Sequence, residues 1–305
     1  MSFSNAYGSY FLPQEVRNRL RQINYANDFR AESVESFKTH KERILSGSTI
    51  LQILSDTRFK ATMTGAHFNE GLCRGHYFGV RRMHRIGRAT ESLAGERWAT
   101  AWTLTSCYYT AFFAAIELLK LTGKYVSYFS PDEIDEVNML ALPSADLLKS
   151  GTYIGQATYN AGSDEVEIAY LLGSNKPHHY AWHELKELVD NTSATTRDAS
   201  QHRETLRRIL GVGPYAFPMP NDIRNRWNYV DATLFCERGE SIGSGMIERI
   251  MDQEKSFRWG GGKNHVLTEQ NEAIGVAYLR ATLVEATDQV ATIVLPEKLA
   301  KKRSS

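Results

Sequence analysis

The chain has 305 residues, enough for one large domain or two modest ones, and its 36 basic and 35 acidic side chains nearly cancel. That balance supplies no global attraction to nucleic acid or to an anionic membrane, so any such contact has to be local. Cys73, Cys107 and Cys236 are far apart, odd in number and without a CxxC pair, which reads as a reducing, cytoplasmic compartment and excludes a disulfide framework.

The opening MSFSNAYGSYFLPQEV has no basic stretch leading into an apolar core, so a secretory leader is not expected. Residues 13–54 predict two amphipathic helices, with Pro13 in a first turn and Asp28 or Ser33 as caps. They make an N-terminal helical extension, residues 1–60. Between Arg74 and Arg88 positive charge gathers around Tyr77 and Phe78. On a helix Arg81, Arg85 and Arg88 share one face, a candidate RNA-binding stripe that would equally serve as a solvated surface.

Arg97 to Gly123 predicts the central helix of a bundle. Trp98, Trp102, Thr105, Tyr109, Phe112, Ile116 and Leu119 fall on one stripe, expected to be the core seam, while the opposite side is barely more polar. Gly123 is placed to cap its end. From 98 to 119 the only charge is Glu117, and the length suits a bilayer. Thr, Ser, Tyr and Trp are scattered through the stretch, however, so it reads as a core helix and no membrane partner is expected. Tyr108 and Tyr109 read as core, and Glu117 as a buried partner for an arginine such as Arg224.

Ser130-Pro131-Asp132-Glu133 is a helix start. Residues 152–172 alternate around a turn-rich NAGSD and predict an inserted β-hairpin. In PHHYAWHELKELV, His179 and His183 have zinc-compatible spacing, but there is no HExxH and no third ligand, so no metal and no cofactor are expected. RDASQHRETLRRIL predicts a basic helix closed by Gly211, and Pro214, Pro218 and Pro220 define a loop. Asp222 is placed to cap the helix IRNRWNYVDATLF. Gly239 to Gly245 reads as a hinge, RWGGGKNH as a loop, and 241–305 as a C-terminal helical segment with a basic tail.

The alanine-rich, tyrosine-containing CYYTAFFAAIELLKLTGK and the late helix opening with Arg224-Asn225 together resemble the HEPN superfamily of helical bundles. The likeness covers roughly residues 70–240. It implies a mainly α fold, a bundle over residues 61–240 with the hairpin at 152–172 inserted. It also implies metal-independent RNA cleavage or RNA binding in a bacterial defence or toxin system, in a homodimer whose two copies share a composite site. In nuclease members an Arg is followed after four to six residues by His. Here Tyr229 stands where that histidine is expected, so the carried-over site is Arg224, Asn225 and Tyr229. Arg197 and His202 in RDASQH offer a second Arg-to-His spacing, and Arg258 with His265 a third. The missing histidine also supports a reading of another class, a catalytically inactive adaptor or sensor binding a protein or nucleotide partner.

Overall fold

The computed structural model describes residues 11–26, 28–96, 99–141, 146–173, 177–262 and 265–301. Contacts gather the chain into two compact units. One comprises Met1–Glu15, Val80–Ala115 and His178–Gln289; the other comprises Val16–Gly79, Ile116–Pro177 and Val290–Ser305. The fold is mainly helical, and the second unit carries a five-stranded antiparallel sheet.

In the sheet-bearing unit, α1 (Phe11–Gln22) contributes its later residues, and α2 (His40–Leu45) is opened by a Thr39–Glu42 capping box. Strands β1 (Ile50–Ser55) and β2 (Arg58–Thr64) follow, then the first half of α3 (Gly65–Gly95). The end of α4 (Thr100–Leu121) leads into β3 (Lys124–Phe129), α5 (Pro131–Leu140), β4 (Gly151–Asn160) and β5 (Glu165–Leu172). The strand order is β1-β2-β5-β4-β3.

The expected hairpin is therefore the β4–β5 pair, but it is no lone insertion. Residues 50–54, read from sequence as helix, are strand β1, and β3 had no sequence signal of its own. Alternation is clear in the central pair, where Phe59, Ala61 and Met63 on β2 and Val166, Ile168 and Tyr170 on β5 all point to the buried face. Phe59 stacks on Tyr170 with centroids 4.7 Å apart, and Phe129 and Tyr153 meet the pair edge-on.

The capping box at Ser130–Glu133 starts α5 as expected, and Gly123, at φ +79°, ends α4. The core seam of α4 differs in part from the expected one. Of the expected stripe, Phe112, Ile116 and Leu119 are buried, Thr105 and Tyr109 are half-buried and Trp102 is 56% exposed, while on the opposite side Leu104, Tyr108, Ala111, Ala115 and Leu118 are all buried. A helix apolar on every side gives periodicity nothing to choose between. Trp98 lies outside the described residues.

Glu117 is also partnered otherwise than expected. It lies fully buried, 3.2 Å from His76 Nδ1 and 2.7 Å from Lys120 Nζ, rather than paired with Arg224. Burial alone would raise its carboxyl, but Lys120 and His76 outweigh that effect and hold it below the ordinary carboxylate range. Gly79 of α3 leaves room for the carboxylate, since a Cβ there would stand 1.9 Å from Oε1.

The other unit is helical. It holds the later part of α3, most of α4, and α6 (Pro177–Asp190), α7 (Arg197–Ile209), α8 (Pro220–Asn225) and α9 (Ala232–Phe235). Helices α10 (Glu237–Met251) and α11 (Gln253–Gly260) and most of α12 (Glu269–Val294) complete it, and α13 (Glu297–Lys301) belongs to the sheet-bearing unit. Gly239 to Gly245 is no hinge: these residues lie inside α10. A Cβ on Gly243 would meet Thr100 Cγ2 at 2.1 Å, so the glycine serves close packing. Lys263 and Asn264 of the RWGGGKNH loop and tail residues 302–305 lie outside the described residues.

Replacing Gly79 by Ala should destabilise the protein by about 2 kcal/mol or more, because the added methyl must displace a buried, paired carboxylate. Gly75→Ala, four residues earlier on the same helix with nothing within 4 Å of its Cβ, should instead stabilise by up to about 1 kcal/mol. Urea midpoints of the two variants check both signs.

Candidate functional site

The site is built where the helix begun at Pro220 changes pitch. Proline at the first position needs no donor there, and Met219 rather than Asp222 occupies the cap position. After α8 the chain widens into a π-turn, Arg226–Val230, in which the Asp231 N–H donates to the Arg226 carbonyl at 3.0 Å. Three contacts hold this turn. Trp227 is fully buried, Arg226 pairs with the buried Glu272 of α12, and Asn228 donates both to the Arg224 carbonyl at 2.9 Å and to Thr105 Oγ1 on α4.

Arg224 is thereby directed at the tyrosine pair of α4. Its guanidinium carbon lies 5.2 Å from the Tyr108 ring centroid, 5.7 Å from that of Tyr109 and 5.9 Å from that of Tyr229. Arg224 and Asn225 are half-buried at the end of α8, and Tyr229 is 76% exposed.

A hydrogen-bond chain runs through Tyr108. Trp182 Nε1–H of α6 donates to the Tyr108 oxygen at 3.2 Å, and His178 Nδ1 lies 2.9 Å from the same oxygen. Burial pushes the Tyr108 hydroxyl up to about 12, against the contrary pull of Trp182 and Arg224, so it keeps its proton at neutral pH. Trp182 donates to the oxygen, and the phenolic proton is directed at His178 Nδ1 as its acceptor. The imidazole proton then resides on Nε2. Burial, followed by the charge of Arg224, lowers the His178 pKa below its ordinary 6.5 and keeps the ring neutral. The ring also packs on Phe112, centroids 4.2 Å apart, at the amino end of α6, where a cation is disfavoured. The resulting arrangement is one fixed cation and a neutral N–H donor beside an exposed aromatic ring, which suits a phosphate-bearing chain.

The residues expected from sequence fall into four groups. Arg224 and Tyr229 come together, while Asn225 is the next residue of α8 and half-buried. Arg81, Arg85 and Arg88 all lie on the exposed side of α3. Arg197 and His202 do not converge: five positions on a helix separate side chains by roughly 140°. Arg197 is exposed at the start of α7, whereas His202 is buried with Nδ1 2.8 Å from Tyr278 Oη. Burial lowers His202 to about 4. His265 is likewise packed away from Arg258, its ring stacked on Trp259 with centroids 3.9 Å apart.

Sequence reasoning missed His178, Tyr108, Trp182 and Asn228. The run PHHYAWH carried a signal, but it drew attention to ligand spacing between His179 and His183, both of which are exposed. Among the described residues no group of three or more His, Cys, Asp or Glu is arranged to hold a metal ion. None of their helices is long and apolar enough to cross a membrane. No protein-family profile, curated protein or solved structure matches the chain.

The buried histidines set an acid limit on stability. His202 and His265 are each lowered to about 4 from an ordinary 6.5, chiefly by burial. The unfolded chain therefore binds more protons between these values, and stability that is complete above pH 6.5 should fall as pH drops toward 4. Urea unfolding at intervals between pH 7.5 and 4.5 should show this decline, and His202→Gln should flatten part of it.

Proposed function

We propose that this chain is an HEPN-like protein of a bacterial defence or toxin system that binds RNA at Arg224 and cleaves it without a metal, as a homodimer. One observation carries the reading: the Arg224 guanidinium and the His178 imidazole both engage Tyr108. Arg224 neutralises the scissile phosphate. As the ribose 2′-oxygen bonds to phosphorus and the bond to the leaving oxygen breaks, His178 gives its Nε2 proton to that oxygen and Nδ1 takes the proton of Tyr108. The 2′-hydroxyl proton passes to water, from which Tyr108 is reprotonated. The tyrosine oxygen is left with Trp182 as a donor and the positive charge of Arg224 nearby, which lessens the cost of its charge. Tyr229 offers a ring on which an unpaired base stacks, and Arg81, Arg85 and Arg88 follow the backbone of the strand. In this reading the proton donor comes from α6 and not from the helix after Arg224, where the resemblance places it.

A second reading is favoured by a specific feature. The basic nitrogen of His178 is taken up by the Tyr108 hydroxyl, so the cluster contains no free general base. A bundle with this cluster serves equally as a catalytically inactive adaptor or sensor that recognises a partner protein.

Filter retention and cleavage of mixed single-stranded and transfer RNA, at low and high salt, separate the two. Arg224→Ala should abolish both retention and cleavage, and His178→Gln should lower cleavage by about a hundredfold or more while sparing retention. A wild-type protein that neither retains nor cuts RNA at low salt would overturn the RNA reading and leave the adaptor.

A further inference from the structure

Away from Arg224, two cavities of the helical unit meet at Arg249 and Met251 of α10. The smaller, about 350 Å³, is bounded by Glu91 of α3, Gln253 of α11 and Arg280 of α12 as well as by Arg249. The larger, about 1010 Å³, extends past Ser244, Trp259, Gln270 and Asn271. Both volumes are in the range of small-molecule sites.

Charge distinguishes the two. Arg280 is only 9% exposed, and a guanidinium so far removed from water needs its donors matched. Glu91 Oε1 accepts from Arg280 Nη2 at 2.5 Å, but Arg280 Nε has no hydrogen-bond partner among the described residues. Arg249 Nη1 donates to the Gly245 carbonyl at 2.7 Å and stands 3.7 Å from Glu248, and its Nε likewise lacks a partner. Glu248 is itself engaged by Lys255. The smaller cavity thus has two arginines against the single carboxylate Glu91, which is half exposed. The larger has the carboxylates Glu240 and Glu248 and is the less suited to an anion. It offers instead an indole and two amides. Asn271 spends its N–H on the Val266 carbonyl and keeps its oxygen as an acceptor, while Gln270 makes no side-chain hydrogen bond among the described residues.

We propose that the joined cavities form a nucleotide site, with the phosphate held between Arg249 and Arg280 and the base lying beside Trp259 and read by Gln270 and Asn271. A phosphate offers charge-assisted acceptors to the guanidinium groups that line the smaller cavity, and the amide pair matches the donor and acceptor edge of a heterocycle. The site is separate from Arg224 and does not depend on RNA binding there. It gives the protein a small-molecule input apart from the Arg224 site.

Isothermal titration of the full chain with AMP and with inorganic phosphate tests the assignment. AMP should bind saturably and more tightly than phosphate. Arg249→Gln, with folding checked by circular dichroism, should weaken AMP by about tenfold or more, the effect of losing a charge-assisted contact. Glu91→Gln should strengthen both ligands by freeing Arg280 from its competing carboxylate. Trp259→Leu should remove the advantage of AMP over phosphate, and Arg224→Ala should leave AMP binding unchanged, separating this site from the RNA reading. No heat with AMP at millimolar concentration, or wild-type affinity in Arg249→Gln, would overturn the proposal.

Discussion

A guanidinium and an imidazole that share one half-buried aromatic site cannot both carry charge at low cost. Arginine does not give up its proton, so the histidine is the group that yields, and this constraint fixes the state of His178. With the Tyr108 proton directed at Nδ1 of the neutral ring, the imidazole proton lies on Nε2, which is then the group left to act as a donor. Each contact of Arg224 with an aromatic face is worth roughly 0.5–2 kcal/mol, less than the several kcal/mol needed to dehydrate an ion fully. Arg224 accordingly stays half in water, available to an anion. The π-turn at Arg226–Val230 is what makes this arrangement attainable. It lets Arg226 reach Glu272 while Arg224, two residues earlier, faces α4.

The sheet-bearing unit depends on a different device. Glu117 is an acid in a dry interior, tolerable only because Lys120 and His76 both reach it and because Gly79 presents no side chain against it. The stacked Phe59 and Tyr170 with Phe129 and Tyr153 supply the apolar weight of the same unit. Helix α3 carries both the glycine that accommodates Glu117 and the exposed arginines at 81, 85 and 88.

Much of the helical framework was legible because it rests on local chemistry. Gly123 and Gly211 end helices at positive φ, Ser130 and Glu133 form a capping box, and the alternation in TYIGQATY and EVEIAYLL marks β4 and β5. Strands β1 and β3 were not legible. Six residues of ILQILS fit either period, and the pairing of β1 with β2 and of β3 with β4 is decided by tertiary contacts. Arg224 and Tyr229 were found through spacing along one segment. His178 and Tyr108 escaped because their meeting depends on how α6 packs against α4, a relation spanning 70 residues that no local pattern encodes. His202 misled for the converse reason: an Arg-to-His spacing says nothing about which face of the helix is buried.

The state of His178 is the most direct test of the site. Nitrogen-detected NMR of the labelled imidazole, followed through a pH titration, reports both its tautomer and its pKa. The account predicts a proton on Nε2, a bare Nδ1 and a pKa below the ordinary 6.5 that rises in Arg224→Gln. A pKa at or above that value and indifferent to Arg224, or a proton resident on Nδ1, would show that the arginine, the tyrosine and the histidine do not act as one unit.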